Sequence, residues 1–299
     1  MSSMIEQLVE AAGIRLAHST EIYPALHQPG DAGLPLLVME NELGRAVMAL
    51  QGAHLLAFQP AGQREMLWLS PKCVLAPGVP IRGGIPLCVP WFGPGPAGAP
   101  QHGFGRTMEW TLADAERRAD GATSVVLELA GDASVSPAWP HAFQFRLDAV
   151  VGSSLRLTLR LENRSPTPAP VAFAFHAYFA VPDVAQARVT GLEGTTYLDK
   201  VEQFARKVQA REVAITGLTD RIYLDVPTVQ MLRTGAGDVR IASETKCAVV
   251  WNAWTHDAAI ADIGEGNHTG YLCVERGDVA DRAGMIPAGG SYSADLTLS

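Results

Sequence analysis

The sequence predicts an all-β protein, built either as a sandwich or as a barrel. Apolar and polar residues alternate in many short runs, turn residues separate most of these runs, and few helical patterns lie between them. The clearest runs, 143–149 and 155–161, flank the turn Gly152-Ser153-Ser154. This arrangement predicts an antiparallel hairpin with one solvated face. Other runs occur at 45–50, 55–58, 108–112, 125–129, 171–179, 222–224, 239–242, 248–251, 271–275 and 291–298.

The N-terminus differs from the rest of the chain because its apolar residues recur at helical spacing. We expect a helical extension over residues 1–20 and a single β domain over residues 21–299, since no internal repeat or polar linker divides the remainder. The helical pattern rests on Ile5, Leu8, Val9, Ala12 and Leu16.

The stretch 77–105 is rich in glycine and proline, but its composition is not that of a linker. We interpret it as an ordered loop system at the mouth of a site. The reason is its content of large apolar residues, which a solvated linker would lack: Ile81, Ile85, Leu87, Val89, Trp91 and Phe92.

Composition limits the possible partners. The formal net charge is −8 and no Lys/Arg cluster occurs, so neither a nucleic acid nor an anionic membrane surface is an expected partner. A small anionic substrate stays possible, because a few placed arginines can bind one phosphate group. No apolar run is long enough to span a membrane and the N-terminus does not resemble a signal peptide, so we expect a cytoplasmic protein. The four cysteines lack zinc-site spacing and are expected to be reduced thiols.

Two titratable residues belong to apolar runs. If residues 171–179 form one strand, His176 shares a face with small alanines, which leaves room for a ligand. Glu275 ends another apolar run, and burial there would raise the basicity of its carboxylate. The alternatives are a histidine paired with a neighbouring carbonyl group and a glutamate that turns into solvent at the strand end.

Other candidate residues lie in loops. Arg82, His102 and Arg106 stand beside glycines, which let the backbone approach a ligand closely, and arginine donors match carboxylate or phosphate geometry. Asp220 could accept hydrogen bonds from sugar hydroxyls or could cap a turn. Aromatic residues that could stack on a sugar ring, but that are equally typical of a core, are Trp91, Phe92 and Trp139.

Motifs for metal, nucleotide or nucleophilic chemistry do not occur. The chain lacks H-E-x-x-H, G-x-S-x-G, a Walker-type loop and a G-x-G-x-x-G fingerprint, and its eight histidines show no metal-ligand spacing. We therefore expect an activity that needs neither a cofactor nor a metal.

Together these segments resemble the aldose 1-epimerase superfamily, and within it the hexose-6-phosphate mutarotases. The resemblance implies a large twisted antiparallel β-sandwich, like that of galactose mutarotase, with the site on a concave sheet face. The matching segments follow one another in the expected order: Gln51-Gly-Ala-His54, Leu67-Trp-Leu-Ser70, Ile81-Arg-Gly-Gly-Ile-Pro86, Pro90-Trp-Phe-Gly-Pro94, His102-Gly-Phe-Gly-Arg106, His176-Ala-Tyr-Phe179, Asp220-Arg-Ile-Tyr223, Trp251-Asn252 and Cys273-Val-Glu275.

The resemblance also implies roles in sugar ring opening and closure. Glu275 would be the general base at the anomeric hydroxyl, His176 the general acid at the ring oxygen, and His102 a hydrogen-bonding partner near that oxygen. Mutarotation needs one acid and one base, and a raised glutamate pKa with a histidine near its reference value would suit both roles. Arg276, directly after the base, could lower the glutamate pKa or could face solvent.

Substrate choice would depend on the arginines. The resemblance implies that Arg82 and Arg106 bind a 6-phosphate and that Gln51 and Asp220 orient the sugar. Trp91 and Phe92 are expected to bind the sugar ring as aromatic platforms. The expected partner is a phosphorylated sugar. A mutarotase for unphosphorylated aldoses and a non-catalytic sugar-binding protein are the alternatives, and the oligomeric state stays open.

Overall fold

The N-terminal segment begins with a helix and then joins a sheet. The computed structural model describes residues 4–96 and 98–299, so residues 1–3 of the predicted extension lie outside the described residues. The helix α1 (Met4–Ala11) ends before Gly13, which has a φ of 66°. The prediction of helical spacing as far as Leu16 was wrong, because residues 14–18 pair with residues 35–39 as an edge strand. The second helix, α2, is short (Ser19–Ile22).

Strands make up most of the remaining structure. Short 3-10 turns occur at Pro24–Leu26, Lys200–Glu202, Trp254–Ala259, Asn267–Gly270 and Ala280–Arg282. In chain order the strands are β1 (Ile14–His18), β2 (Pro35–Asn41), β3 (Gly44–Ala49), β4 (His54–Pro60), β5 (Leu87–Cys88), β6 (Thr111–Arg117), β7 (Thr123–Gly131), β8 (Phe143–Val151), β9 (Leu155–Asn163), β10 (Ala169–Val171), β11 (Phe173–Phe175), β12 (Tyr178–Ala180), β13 (Arg188–Thr190), β14 (Thr196–Asp199), β15 (Ala205–Val208), β16 (Val213–Ala214), β17 (Thr219–Leu224), β18 (Val229–Arg233), β19 (Asp238–Ala242), β20 (Cys247–Asn252), β21 (Tyr271–Asp278), β22 (Gly284–Ile286) and β23 (Ser291–Leu298).

Two large antiparallel sheets dominate the fold. One has the order β16-β13-β18-β19-β23-β9-β8-β7-β6, and the other has the order β15-β14-β17-β20-β21-β11-β5, with β12 also paired to β21. Strands β1 to β4 form a smaller sheet, and β10 pairs with β22. The main core contains Phe145 and Leu159 of the nine-stranded sheet together with Phe175 and Val274 of the eight-stranded sheet. The predicted all-β antiparallel sandwich is confirmed.

The predicted hairpin is formed by β8 and β9, with the buried residues of both strands alternating with more exposed ones. By contrast, residues 171–179 are not one strand. The chain makes a three-residue turn at His176, in which the Ala177 N–H donates to the Phe175 carbonyl at 3.0 Å instead of to a neighbouring strand. The alternation nevertheless persists, because Phe175 and Phe179 lie in the main core while Ala174 packs on the opposite face.

The loop system 77–105 is folded against the sheets, as expected. Its segment β5 pairs with β11, and Ile81, Ile85 and Val89 are buried. Gly84 has a φ of 62°, and an added Cβ there would lie 2.2 Å from the Leu55 carbonyl oxygen. Only glycine fits this close approach, so the turn beside Arg82 depends on it.

All four cysteines are free thiols and are buried, which confirms that prediction. Across residues 4–96 and 98–299, no helix has the length and apolar character needed to cross a membrane.

Arg276 lies on the core face of β21 and is fully buried, so neither alternative considered for it holds. Its five N–H donors make five hydrogen bonds. Burial lowers its pKa to about 10, which still leaves it charged at neutral pH. The side chain connects the two large sheets, because its acceptors are the Gln230 amide oxygen and the carbonyl oxygens of Cys247, Thr228, Ser243 and Thr245.

Arg276→Met is therefore expected to lower the free energy of unfolding by about 3 kcal/mol or more, because it leaves several buried acceptors without a donor. Urea denaturation measures this change. Arg240→Met is the matched control, since Arg240 is exposed on β19, and it should stay within about 0.5 kcal/mol of the wild type. Equal stability of the two variants would contradict the role assigned to Arg276.

Candidate active site

A cavity of about 290 Å³ opens on the face of the eight-stranded sheet that points away from the main core. Strands β17, β20 and β21 supply its floor, and the loop system 77–105 with the start of the next segment supplies one wall. Its lining residues are Arg82, Phe92, Gln101, His102, Arg106, His176, Lys200, Asp220, Val249, Trp251, Ile260 and Glu275. The sheet therefore brings together residues that are almost 200 positions apart in the sequence.

The antiparallel register places His176 opposite Glu275. Phe175 pairs with Arg276 and Tyr178 pairs with Cys273, so the register is the same on both sides of the turn at His176. Directly opposed residues on one face have side chains close enough to interact. His176 Nδ1 lies 3.4 Å from Glu275 Oε1, and the histidine ring stacks on Tyr178 with the ring centres 4.8 Å apart.

Both members of this pair are buried and incompletely hydrogen bonded. Among the described residues, neither His176 Nδ1 nor Glu275 Oε2 has a hydrogen-bond partner. Buried polar atoms are normally paired, so two unpartnered atoms beside one cavity mark a candidate functional pair. This geometry fits an acid–base pair. It does not fit the two alternatives considered from the sequence, a histidine paired with a carbonyl group and a solvated glutamate.

Burial shifts the pKa values of Glu275 and His176 in opposite directions. Desolvation raises the pKa of Glu275 well above its usual value, and the nearby Asp220 raises it further while Lys200 lowers it. Desolvation lowers the pKa of His176 well below 6.5, helped by His102, Arg82 and Arg106. The expectation of a histidine near its reference value was therefore wrong, and the cavity favours the state in which the two groups together hold one proton.

His102 is held by the loop that contains Phe92. The Gly93 N–H donates to His102 Nδ1 at 3.1 Å, so the neutral ring carries its proton on Nε2. Desolvation, with Arg106 next in size, lowers the His102 pKa to about 3, which leaves the ring neutral at pH 7. His102 lies against His176 with the ring centres 5.5 Å apart, and Phe92 packs edge-on against His102. His102 is thus a neutral imidazole beside the acid–base pair, and its Nε2 lies 3.2 Å from the Gln101 side-chain amide.

The cations at the cavity differ in their partners. Arg82 Nε lies 3.1 Å from Asp262 Oδ2, and its Nη1 donates to the Tyr178 hydroxyl at 2.9 Å. Arg106 Nη2 donates to the Gln101 carbonyl at 2.8 Å, and its buried Nε has no partner in the described structure. No described carboxylate forms an ion pair with Arg106. Of the two arginines, Arg106 is therefore the one whose charge is available to an anion.

Two residues expected to contact the sugar lie outside the cavity. Gln51 is buried, its amide donates to the Val79 carbonyl at 2.8 Å, and its amide oxygen accepts from the Gly78 N–H at 2.7 Å. Trp91 donates to the Pro100 carbonyl and packs edge-on against Phe104. Both side chains hold the loop system in place. Their expected direct contact with substrate is corrected to a contact with the loops that form the cavity wall.

His54 shares this function with Gln51. Its Nε2 donates to the Gly83 carbonyl at 2.7 Å, directly beside Arg82, and burial lowers the His54 pKa to about 4, so the ring stays neutral. The Gly52 N–H donates to the Met108 carbonyl at 2.7 Å, close to Arg106. The segment Gln51-Gly-Ala-His54 therefore fixes both loops that carry the arginines.

Several lining residues were not found by sequence reasoning. Lys200 lies in the 3-10 turn after β14, and no motif marks it. Trp251 belongs to a matching segment and Gln101 directly precedes another, so these positions were the available signal. The structure also shows Tyr178 as a support, because it contacts both His176 and Arg82.

This chain is similar to several known proteins. A family model described as aldose 1-epimerase matches residues 35–299. A protein of Escherichia coli K12, provisionally named glucose-6-phosphate 1-epimerase, is 33% identical over 261 residues, which cover 85% of this chain and 87% of that protein. A protein of Cenchrus ciliaris with the same provisional name is 32% identical over 278 residues. The match covers 85% of this chain and 80% of that protein.

A similar structure is also known from Salmonella typhimurium. This crystal structure, of the protein YeaD, is described provisionally as that of a mutarotase. The two structures match with a TM-score of 0.83 at 28% sequence identity, and the match covers 99% of this chain and 98% of the YeaD chain.

Proposed function

Because this chain belongs to the aldose 1-epimerase family, we propose that it acts on a hexose 6-phosphate, and on glucose 6-phosphate first of all. The family makes the chain an isomerase that interconverts sugar anomers. The phosphate is supported by Arg106, whose guanidinium lines the cavity without a carboxylate partner among the described residues. Relatives that carry the provisional name glucose-6-phosphate 1-epimerase support the same substrate.

Ring opening begins at the anomeric carbon. We assign Glu275 as the base that takes the proton from the C1 hydroxyl, and His176 as the acid that gives a proton to the ring oxygen as the C1–O5 bond breaks. The reacting form of the pair is the one in which the shared proton is on His176 and Glu275 is ionised. The electron pair of the O1–H bond forms the C1 carbonyl, and the C1–O5 pair leaves on the oxygen. The paired positions of the two side chains across one strand register support these roles.

Ring closure reverses the same transfers. After rotation about the C1–C2 bond, the C5 hydroxyl attacks the other face of the aldehyde, returns its proton to His176, and the new C1 hydroxyl takes its proton from Glu275. A neutral His102 with its Nε2 proton can donate a hydrogen bond to the oxygen that develops charge. The pair ends with the one proton with which it began, so no cofactor is consumed.

The cavity can accommodate an anion without a change in the other ion pairs. Arg82 is neutralised by Asp262 and Lys200 by Asp220, whereas the charge of Arg106 has no carboxylate against it in the described residues. A phosphate monoester carries close to two negative charges at pH 7 and accepts hydrogen bonds on three oxygens. Arg106 would supply the principal charge, and the remaining donors of Arg82 would add to it.

Arg106→Met is expected to raise the KM for glucose 6-phosphate by about tenfold or more, the size expected for the loss of a charge-assisted hydrogen bond. NMR exchange measurements on glucose 6-phosphate and on free glucose test this, because the exchange of free glucose should change little. Arg118→Met is the matched control, since Arg118 is exposed, pairs with Asp120 and does not line the cavity. An unchanged KM for the phosphate in the double variant Arg82→Met, Arg106→Met would exclude the phosphate assignment.

A further inference from the structure

Lys200 and Asp220 form an ion pair inside the cavity that the acid–base chemistry does not use. Lys200 Nζ lies 2.6 Å from Asp220 Oδ2, both side chains are partly buried, and both line the same cavity as Glu275. One ammonium N–H is directed at the carboxylate, so two N–H donors are left, and the second carboxylate oxygen keeps its lone pairs. The pair therefore presents a donor and an acceptor side by side.

Asp220 is on the opposite side of Glu275 from the loop system 77–105, because β17 and β5 lie on opposite sides of β21 in the sheet. Asp220 is opposite Trp251 on β20, and Glu275 is opposite Val249 on the same strand. Asp220 and Glu275 thus lie two strands apart and two residues out of register, or roughly 12 Å between backbones. Both side chains line the cavity, so the space above the sheet between them is of the size of a single pyranose ring.

We propose that Lys200 and Asp220 form hydrogen bonds with two neighbouring ring hydroxyls that are remote from the anomeric carbon. The pair thereby selects among hexose epimers. Asp220 accepts a hydrogen bond from one hydroxyl, while Lys200 donates to the oxygen of the next. This proposal rests on the proposed hexose 6-phosphate substrate for the orientation of the ring. Axial and equatorial hydroxyls point in different directions, so a fixed donor–acceptor pair fits one epimer better than another.

The ion pair also gives the carboxylates of Asp220 and Glu275 different electrostatic surroundings. Burial raises the pKa of Asp220, and the ammonium group of Lys200 opposes this effect. Glu275 has no ammonium or guanidinium group paired with it in the described structure, and its pKa is raised well above the usual value by burial. Lys200 thereby favours the ionised form of Asp220, which is the form that accepts a hydrogen bond from a sugar hydroxyl.

The test compares epimers of the substrate by NMR exchange. The substrates are glucose 6-phosphate, its C2 epimer mannose 6-phosphate and its C4 epimer galactose 6-phosphate. The wild type should prefer one epimer by about tenfold or more in kcat/KM, as expected for a hydrogen bond to a charged group. Lys200→Met should reduce kcat/KM for the preferred epimer by about tenfold more than for the other epimers, so that the preference is lost.

Two further variants distinguish a loss of epimer recognition from a loss of activity on all epimers. Lys200→Arg keeps the cation and should restore part of the preference. Lys207→Met is the matched control, because Lys207 is in the same hairpin and pairs with Asp199 and Glu202 but does not line the cavity. It should keep the wild-type preference.

A wild type that does not discriminate between epimers would overturn the proposal. An equal loss on all three epimers in Lys200→Met would also overturn it, since that result indicates a general charge effect. Failure of the phosphate assignment gives a different result, in which free hexoses exchange as fast as their 6-phosphates. In that case glucose, mannose and galactose provide the same epimer comparison, and the outcome for Lys200 is judged on them.

Discussion

Glu275→Gln is expected to reduce enzyme-catalysed anomer exchange by about 10²–10⁴-fold, the contribution typical of a positioned acid or base. The amide has nearly the shape of the carboxyl group, so the buried site should keep its packing. It cannot take the proton from the C1 hydroxyl at neutral pH. The KM for glucose 6-phosphate should change little, because the arginines that bind the phosphate are unaffected. NMR exchange rates, corrected for the uncatalysed reaction, measure the effect.

The matched control for this change is Glu244→Gln, at an exposed glutamate in the turn before β20. It should exchange anomers at the wild-type rate. If Glu275→Gln retained more than about a tenth of wild-type activity while Glu244→Gln was normal, Glu275 would not be the base, since even a modest general base contributes about 10²-fold.

His176→Asn is expected to cause a loss of similar size, about 10²–10⁴-fold, because no other described group faces Glu275 as a proton donor. Asparagine retains polarity and hydrogen bonding in the pocket but cannot carry the proton. Measurement of kcat and of the KM separately is informative, since the loss should fall mainly on kcat. A loss confined to the KM would show that His176 binds the substrate without transferring a proton.

The pH dependence of the wild type tests the same pair. Desolvation lowers the pKa of His176 well below 6.5, so the pair takes up its second proton only at a pH below 6.5. The acid limb of kcat/KM should therefore have its midpoint below pH 6.5, and activity at pH 6.5 should be close to its plateau. A midpoint at or above 6.5 would contradict the lowered His176 pKa and the single proton shared by this pair.

The fold could be predicted because its elements are patterned locally. The hairpin β8–β9 shows full alternation of apolar and polar residues, and each of its faces has one environment. The interruption at His176 could not be predicted in the same way. It depends on a hydrogen bond from Ala177 back to Phe175 and on carbonyl groups in the loop at Gly84 and Pro86, which are far away in the sequence.

The residues of the candidate site could also be predicted only in part from the sequence. The resemblance identified residues in recognisable segments, including His176 and Glu275, but it could not tell a lining residue from one that supports the lining. Gln51 is in such a segment and binds backbone groups of the loop, whereas Lys200 is in none and lines the cavity. Arg276 could not be interpreted from the sequence because its five acceptors come from different strands and turns.

The most direct test is a side-by-side NMR measurement of anomer exchange on glucose 6-phosphate and on free glucose with the wild-type protein. We expect clear acceleration of glucose 6-phosphate exchange above its uncatalysed rate, with a kcat/KM at least about tenfold higher than for glucose, as the charge of Arg106 requires. Equal acceleration of both sugars would contradict the phosphate assignment, and no acceleration of glucose 6-phosphate would contradict the proposed function itself.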